Sequence, residues 1–185
     1  HKWVLEGLFG PSYKLIRTEE LMSKGYLAKL NAKILLLKHD ERVFDSYQEE
    51  IDYLIKHEQR NNFIKNLSID LKGNTLVLFS RVEDHGKVLF ELINKNIGED
   101  RKVFFIHGGV DVEDRELARS IIENEKNSII VASYGTFSTG INIKNLHNVI
   151  FASPSKSRIR NLQSIGRVLR KGNNKFSATL YDIAD

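Results

Sequence analysis

Five short apolar runs, rich in β-branched and aromatic side chains, constrain the fold of this 185-residue chain more than any other feature of its sequence. They lie at residues 75–79, 103–106, 129–132, 149–152 and 178–183. Unbroken runs of this length are typical of strands that are covered on both faces, as in a parallel sheet. Since helical periodicity separates several of them, the sequence predicts an α/β fold: a doubly wound, mainly parallel sheet with helices on both faces.

The spacing of apolar residues also predicts where the helices lie. Residues 82–92 carry an apolar stripe that includes His85, which we expect in the core or at its boundary, and Asp111 is the predicted N-cap of a later helix. Upstream, the pattern predicts a helix over 44–66 and a further strand over 34–37.

The beginning of the chain differs from the rest. Residues 1–28 have too little periodic sequence to fold alone, so we expect a connector or the tail of a preceding domain, followed by one domain over 29–185. Because the chain starts with His1 rather than Met, we expect it to be a piece of a longer protein.

The composition excludes several classes of protein. The chain has no cysteine, which removes disulfides, thiol catalysis and cysteine-ligated zinc, and which fits a reducing compartment such as the cytoplasm. No apolar run approaches the roughly 18 residues of a membrane-spanning helix, so we expect no membrane partner. None of the six histidines has another histidine four residues away, so no metal site is predicted.

Charge is distributed unevenly along the chain. Between Lys126 and Tyr181 there is no Asp or Glu, whereas nine of the 28 Lys and Arg residues lie there. A cationic third of this kind favours contact with a polyanion such as a nucleic acid. A solvated surface that is balanced by acidic residues elsewhere in the fold would have the same composition, so charge alone leaves both interpretations open.

Three segments come directly after predicted strands, namely Ser80–Arg81, His107–Gly109 and Ser133–Asn142. In open α/β sheets, ligands bind in the crevice beyond the carboxyl ends of the strands. The third segment is rich in glycine and hydroxyl side chains, and we expect a loop whose backbone N–H groups can approach a phosphate or a ribose. A plain turn is the alternative for that segment.

The sharpest motif lies at residues 163–170, with the sequence QSIGRVLR. On a helix, Gln163, Arg167 and Arg170 share one face. Gly166 costs about 1 kcal/mol relative to Ala inside a helix, so its presence suggests a close approach by another group. Two guanidinium groups beside an amide suit a triphosphate, although an amphipathic surface helix with solvated arginines is the alternative.

These motifs resemble those of superfamily-2 helicases. Four segments carry the resemblance in the family's order: LVLFSR at 76–81 is similar to motif IV, IHGG at 106–109 to the block that follows it, TGIN at 139–142 to motif V, and QxxGRxxR at 163–170 to motif VI. The likeness covers roughly residues 29–185, and residues 1–28 resemble the stretch that joins the first helicase lobe to the second. Within the superfamily, the resemblance is greatest to phage helicases that act on branched DNA and R-loops.

The resemblance implies that residues 29–185 are a RecA-like second lobe, which closes over ATP and Mg²⁺ held mainly by a first lobe in cis. The implied catalytic and nucleotide-binding residues are Gln163, Arg167 and Arg170, the arginines acting as fingers on the γ-phosphate, together with Gly140 and Asn142. The resemblance also implies contacts to the backbone of one strand of single-stranded or branched DNA, or of an RNA–DNA hybrid, by Ser80, Arg81, His107, Gly108, Ser133 and Thr136.

The implied activity is that of an ATP-dependent DNA helicase in DNA repair and recombination, working in the host cytoplasm if the protein is encoded by a phage. Two alternatives from other classes stay open at this point. One is a non-catalytic α/β module that binds nucleic acid through its cationic third. The other is a free-standing mononucleotide enzyme, against which the absence of a glycine fingerprint after the first strand counts.

The sequence predicts that this chain alone does not hydrolyse ATP, because it contains no GxxxxGK(S/T) phosphate loop to hold the nucleotide. Release of inorganic phosphate from ATP and Mg²⁺, measured with and without single-stranded DNA, should stay at the level of a protein-free control. Turnover above that control would contradict the prediction.

Overall fold

The computed structural model of the chain describes residues 2–11, 18–24, 26, 28–39, 42–139, 143, 145–154 and 177–185. Within these ranges the elements are, in chain order, α1 (Lys2–Phe9), α2 (Thr18–Ser23), β1 (Lys29–Leu36), α3 (Tyr47–Lys56), α4 (Glu58–Asp70), β2 (Thr75–Phe79), a π-helical turn (Val82–Gly86), α5 (Lys87–Asn96), β3 (Val103–Ile106), α6 (Val112–Asn124), β4 (Ile129–Ser133), α7 (Tyr134–Thr139), β5 (Asn148–Phe151) and β6 (Ser177–Ala184).

The six strands form one sheet in the order β1-β6-β5-β2-β4-β3, and every neighbouring pair is parallel. All residues of β2, β4 and β5 are buried. This burial on both faces explains why these strands appear in the sequence as unbroken apolar runs. The predicted doubly wound parallel sheet is therefore confirmed.

Helices cover both faces of the sheet among the described residues. On one face, Ile64 of α4 and Leu89 and Ile93 of α5 pack against the central strands. On the other, Ile122 of α6 and Phe137 of α7 do so. None of the helices in the described ranges combines the length and the apolar character that crossing a membrane requires.

The predicted helix over 44–66 is wrong as a single element, because the structure has two helices there. The chain turns extended at His57, which separates α3 from α4. The His57 ring nitrogen Nδ1 accepts a hydrogen bond from the backbone N–H of Arg60 at 3.3 Å, so this side chain caps the second helix. The first predicted strand is longer than expected, because β1 begins at Lys29 and pairs with β6 along its whole length.

The predicted loop over Ser133–Asn142 is also wrong in its first part. Ser133 is the last residue of β4, and the chain passes directly into the short helix α7. The Ser133 hydroxyl accepts a hydrogen bond from the backbone N–H of Thr136 at 3.3 Å, which satisfies a free donor of the first turn. Burial of the Phe137 ring then fixes the helix on the sheet, while residues 140–142 lie outside the described ranges.

The predicted helix over 82–92 is confirmed, although it starts with the π-helical turn. His85 lies in the core, as expected, and is fully buried. The turn brings the backbone of Gly86 onto the ring of Phe79, so that a Cβ atom at Gly86 would lie 2.4 Å from the ring atom Cε2. Only a residue without a side chain fits against this buried ring.

Gly86→Ala should therefore lower the free energy of unfolding by about 1–3 kcal/mol, which is the usual range for overpacking a core. Urea unfolding followed by circular dichroism measures the change. Gly98→Ala is the matched control, because a Cβ atom there meets no other atom within 4 Å. Equal stability of the two variants would contradict the proposed contact with Phe79.

Candidate functional site at the carboxyl edge of the sheet

The site residues predicted from the sequence fall into two groups, one inside the described ranges and one outside them. Six lie in the described ranges, all at or just beyond the carboxyl ends of strands: Ser80, Arg81, His107, Gly108, Ser133 and Thr136. The five residues predicted to face the nucleotide lie outside the described residues: Gly140, Asn142, Gln163, Arg167 and Arg170.

The centre of this edge is a point where the direction of winding changes. Strands β2 and β4 are neighbours, but β2 continues into α5 on one face of the sheet, whereas β4 continues into α7 on the other. The two connections therefore diverge at the carboxyl ends of these strands, and such a point is the usual position of a ligand in an open α/β sheet. Ser80 and Arg81 leave β2 at this point.

The end of β2 is fastened to the end of its other neighbour, β5. The backbone N–H of Ser80 donates a hydrogen bond to the hydroxyl of Ser153 at 3.0 Å. Because this N–H is already used, the polar groups that Ser80 offers to a ligand are those of its exposed side chain. Sequence reasoning did not identify Ser153, since it lies 73 residues away along the chain and belongs to none of the motifs.

His85 is the buried centre of the same network. Its Nδ1 lies 2.8 Å from the Ser153 hydroxyl and its Nε2 lies 3.2 Å from Oδ1 of Asn61. The amide nitrogen of Asn61 donates to the carbonyl of Ile55 at 2.8 Å, so Oδ1 is left as an acceptor. This assigns the proton of the neutral imidazole to Nε2, and Ser153 therefore donates its hydroxyl proton to Nδ1.

The imidazole of His85 is held in this neutral form. Burial and, to a smaller extent, the positive charge of Arg60 together lower its pKa from 6.5 to about 3. A neutral ring is what the network requires, since a proton on Nδ1 would remove the acceptor for Ser153. The ends of β2, β5 and α3 are thus joined by one chain of hydrogen bonds with every donor matched to an acceptor.

Arg60 forms a second anchor at the same edge. Its side chain is fully buried and makes two hydrogen bonds, of 2.8 and 2.9 Å, to the carboxylate of Asp185 after β6. Its third donor reaches the carbonyl of Ala152 at 2.6 Å, and Nε2 of His39 lies 2.8 Å from the same carboxylate. The Arg60 guanidinium therefore joins the segments that follow β5 and β6, and the Asp185 carboxylate links the segment that follows β1 to them.

The segments after β3 and β4 also meet. A Cβ atom at Gly108 would lie 3.8 Å from Oγ1 of Thr136, and the hydroxyls of Ser133 and Thr136 are 2.8 Å apart and buried. The ring of His107 packs on Phe105, with the centroids 4.9 Å apart. Gly108 is exposed here, whereas the neighbouring Ser133 and Thr136 are buried.

Arg81 follows β2 and places a positive charge at this edge. The carboxylates of Asp52 and Asp84 lie beside it. One terminal nitrogen lies 2.5 Å from Oδ1 of Asp52 on α3, and the other lies 3.7 Å from Oδ2 of Asp84 in the π-helical turn. A hydrogen bond from Gln48 and the positive charge of Arg81 hold the pKa of the Asp52 carboxyl below its ordinary value. In the described part of the chain, no group of three His, Asp or Glu side chains is placed to hold a metal ion.

Comparison with known protein families gives a match to the helicase conserved C-terminal domain over residues 58–172. Among curated proteins, the chain is 42% identical over 187 aligned residues to the ATP-dependent DNA helicase UvsW of enterobacteria phage T4. It is 32% identical over 135 residues to a protein of Acanthamoeba polyphaga mimivirus whose name describes an ATP-dependent RNA helicase. These alignments include 97% and 69% of this chain but only 36% and 23% of the two relatives, so the chain spans about a third of their length or less.

Solved structures give the same result for the fold. The crystal structure of T4 UvsW matches with a TM-score of 0.65 and 41% identity, over 84% of this chain and 32% of that one. The yeast DEAD-box splicing factor Prp28 matches with a TM-score of 0.61 and 17% identity, over 87% of this chain and 30% of Prp28. The predicted RecA-like arrangement of the sheet and its helices is confirmed by these matches.

The buried histidine predicts a specific dependence of stability on pH. Between pH 6.5 and about 3, the unfolded chain binds a proton at His85 that the folded chain excludes, so stability falls as the pH falls. This one group should remove about 2 kcal/mol from the free energy of unfolding between pH 7 and pH 5. His85→Gln should remove that loss, as measured by urea unfolding at the two pH values.

His107→Gln, at a half-buried histidine on a strand end, is the matched control and should keep the parent's loss. If His85→Gln loses as much stability between pH 7 and pH 5 as the parent does, the imidazole is not held neutral by the network.

Proposed function

Because this chain belongs to the family of the helicase conserved C-terminal domain, we propose that it is the second motor lobe of an ATP-dependent DNA helicase or translocase. The observation that carries the proposal is the 42% identity to a DNA helicase over almost the whole chain. The carboxyl edge supports it, because the segment that resembles motif IV and the IHGG block that follows it in the sequence both end there. In this proposal residues 29–185 form the lobe, and residues 1–28 join it to a first lobe in cis.

The proposed contact to DNA is made through the phosphate backbone of one strand. Ser80 and Arg81 after β2 and His107 and Gly108 after β3 would face the phosphates, as side chains and backbone at the exposed edge. Contacts of this kind grip a strand without reading its bases, which suits a motor that must step along any sequence.

Two further residues belong to the proposed strand-binding set in a different way. Ser133 and Thr136 are buried close to Gly108, and their paired hydroxyls join the end of β4 to the first turn of α7. We propose that they shape the surface that a strand phosphate meets.

The residues that we propose to take part in ATP hydrolysis lie outside the described ranges. Arg167 and Arg170 would act as arginine fingers on the γ-phosphate with Gln163 beside them, and Gly140 and Asn142 would lie near the nucleotide. Arginine side chains stabilise the charge that develops during phosphoryl transfer. The phosphate loop and the ligands of Mg²⁺ would come from the first lobe, since this sequence contains neither a phosphate loop nor an acidic pair directly after a strand.

We further propose that the substrate is DNA rather than RNA, in single-stranded or branched form or as the DNA of an R-loop. The greater identity to the relative named as a DNA helicase supports this choice over the relative named as an RNA helicase. A motor for branched DNA would work in repair and recombination, in the cytoplasm of the host if a phage encodes it.

The test is Arg170→Ala in the protein that joins this chain to its first lobe. DNA-stimulated ATP turnover should fall by about a thousandfold, while nucleotide binding should fall much less, because the finger acts on the transition state. Arg158→Ala is the matched control, since it removes a cation from the same acid-free stretch but lies outside the QxxGRxxR motif. Unchanged turnover in Arg170→Ala would remove Arg170 from the proposed role of arginine finger.

A further inference from the structure

The side chain proposed to grip the strand, Arg81, is already engaged by carboxylates within the lobe. Asp52 contacts one terminal nitrogen at 2.5 Å, and Asp84 lies 3.7 Å from the other. Asp52 is itself fixed, because the amide of Gln48 donates to the same carboxylate oxygen at 3.0 Å. A phosphate that approaches Arg81 therefore meets a pre-formed ion pair rather than a free guanidinium group.

We infer that Asp52 is an intramolecular competitor for the strand phosphate at Arg81, and that exchange of Arg81 between Asp52 and the phosphate sets how tightly this lobe holds a strand. The inference rests on the proposed function, since it requires that Arg81 binds nucleic acid. It assigns a part in the affinity for DNA to α3, which contains none of the four helicase-like motif segments.

Exposure distinguishes this pair from a structural brace. The side chain of Arg81 is 32% exposed and that of Asp52 is 43% exposed. Ion pairs this open to water contribute little to stability, because water and salt screen them. A phosphate diester presents the same pair of acceptor oxygens to the guanidinium plane as a carboxylate does. The free-energy change for replacing the carboxylate by the phosphate at Arg81 is therefore small, and small differences in binding free energy decide which anion is bound.

The carboxylate has the advantage of being tethered. It is present at a high effective concentration in every molecule, whereas the phosphate must arrive from solution. The apparent affinity for a strand is then reduced by the fraction of molecules in which Arg81 is released from Asp52. A competitor of this kind weakens the grip without adding any contact to the DNA.

Asp52 also has a second cation within reach when Arg81 leaves. Lys56 lies four residues further along α3, and its charge already helps to lower the pKa of Asp52. Residues at this spacing on a helix face each other. The carboxylate is thus not left unpaired during the exchange, which keeps the cost of releasing Arg81 low.

The test measures binding of this chain to a fluorescein-labelled oligo(dT) at low salt by fluorescence anisotropy. Asp52→Asn should tighten binding two- to fivefold and slow dissociation, because it removes an exposed ion pair worth at most about that factor. Glu91→Gln on the exposed side of α5 is the matched control, since it changes the net charge by the same amount away from Arg81. Equal affinities in these two variants would overturn the inference.

The double variant separates the inference from the function on which it rests. Arg81→Ala should weaken binding and lower the slope of log affinity against log salt by about one, and adding Asp52→Asn to it should change nothing further. If Arg81→Ala leaves binding unchanged, the proposed strand contact of Arg81 is wrong. If Arg81→Ala weakens binding but Asp52→Asn does not tighten it beyond Glu91→Gln, the competition alone is wrong. Thermal unfolding of each variant checks the fold, and loss of structure cannot produce the expected gain in affinity.

Discussion

The parallel pairing of β2 with β4 and β5 is the constraint on which the other features of this lobe depend. These strands are buried on both faces, so their backbone groups have no partner except a neighbouring strand. Because every pair is parallel, the chain leaves every strand at the same edge of the sheet. Segments that are far apart in sequence, such as those after Phe79 and Phe151, are thereby placed side by side with polar residues at their ends.

The strand ends create a problem that the buried polar network solves. Backbone groups beyond the last ladder hydrogen bond need other partners, and the side chains that supply them here are buried. Ser153 supplies the acceptor for the N–H of Ser80, and His85 and Asn61 continue the chain of hydrogen bonds to α3. The low pKa of His85 follows from this burial, and it keeps the network in one protonation state at neutral pH. Rigid placement of Ser80 is the result.

The parts of the fold that could be predicted from the sequence are those whose cause is local. The central strands were predictable because burial on both faces forces an unbroken apolar run. The break at His57 was not, since neither glycine nor proline marks it and the capping bond forms only when the ring meets the next turn. Helix α7 was not predicted, because Gly135 and its hydroxyl neighbours are typical of a loop. In the structure, packing of the buried Phe137 ring on the sheet stabilises the helix instead.

Only those site residues that lie in the motifs could be predicted from the sequence. The motifs predicted which segments lie at the edge, because a strand and the residue after it are neighbours in the sequence. They did not predict Asn61, Ser153 or Asp52, which reach the site from other elements and are chosen by tertiary contacts. Separations of 29 residues between Asp52 and Arg81, and of 73 between Ser80 and Ser153, leave no periodic signal between the partners.

Two arginines at this edge differ in burial and therefore in how easily each can change its partners. Arg60 is fully buried and uses three donors on Asp185 and Ala152. Removing a partner from such a pair leaves an uncompensated buried charge and costs several kcal/mol, so the contact is permanent. Arg81 is a third exposed and faces carboxylates that water also reaches, so it can change partners at little cost. The proposed motor function would use both kinds of arginine, because a bound strand must later be released while the edge that binds it keeps its structure.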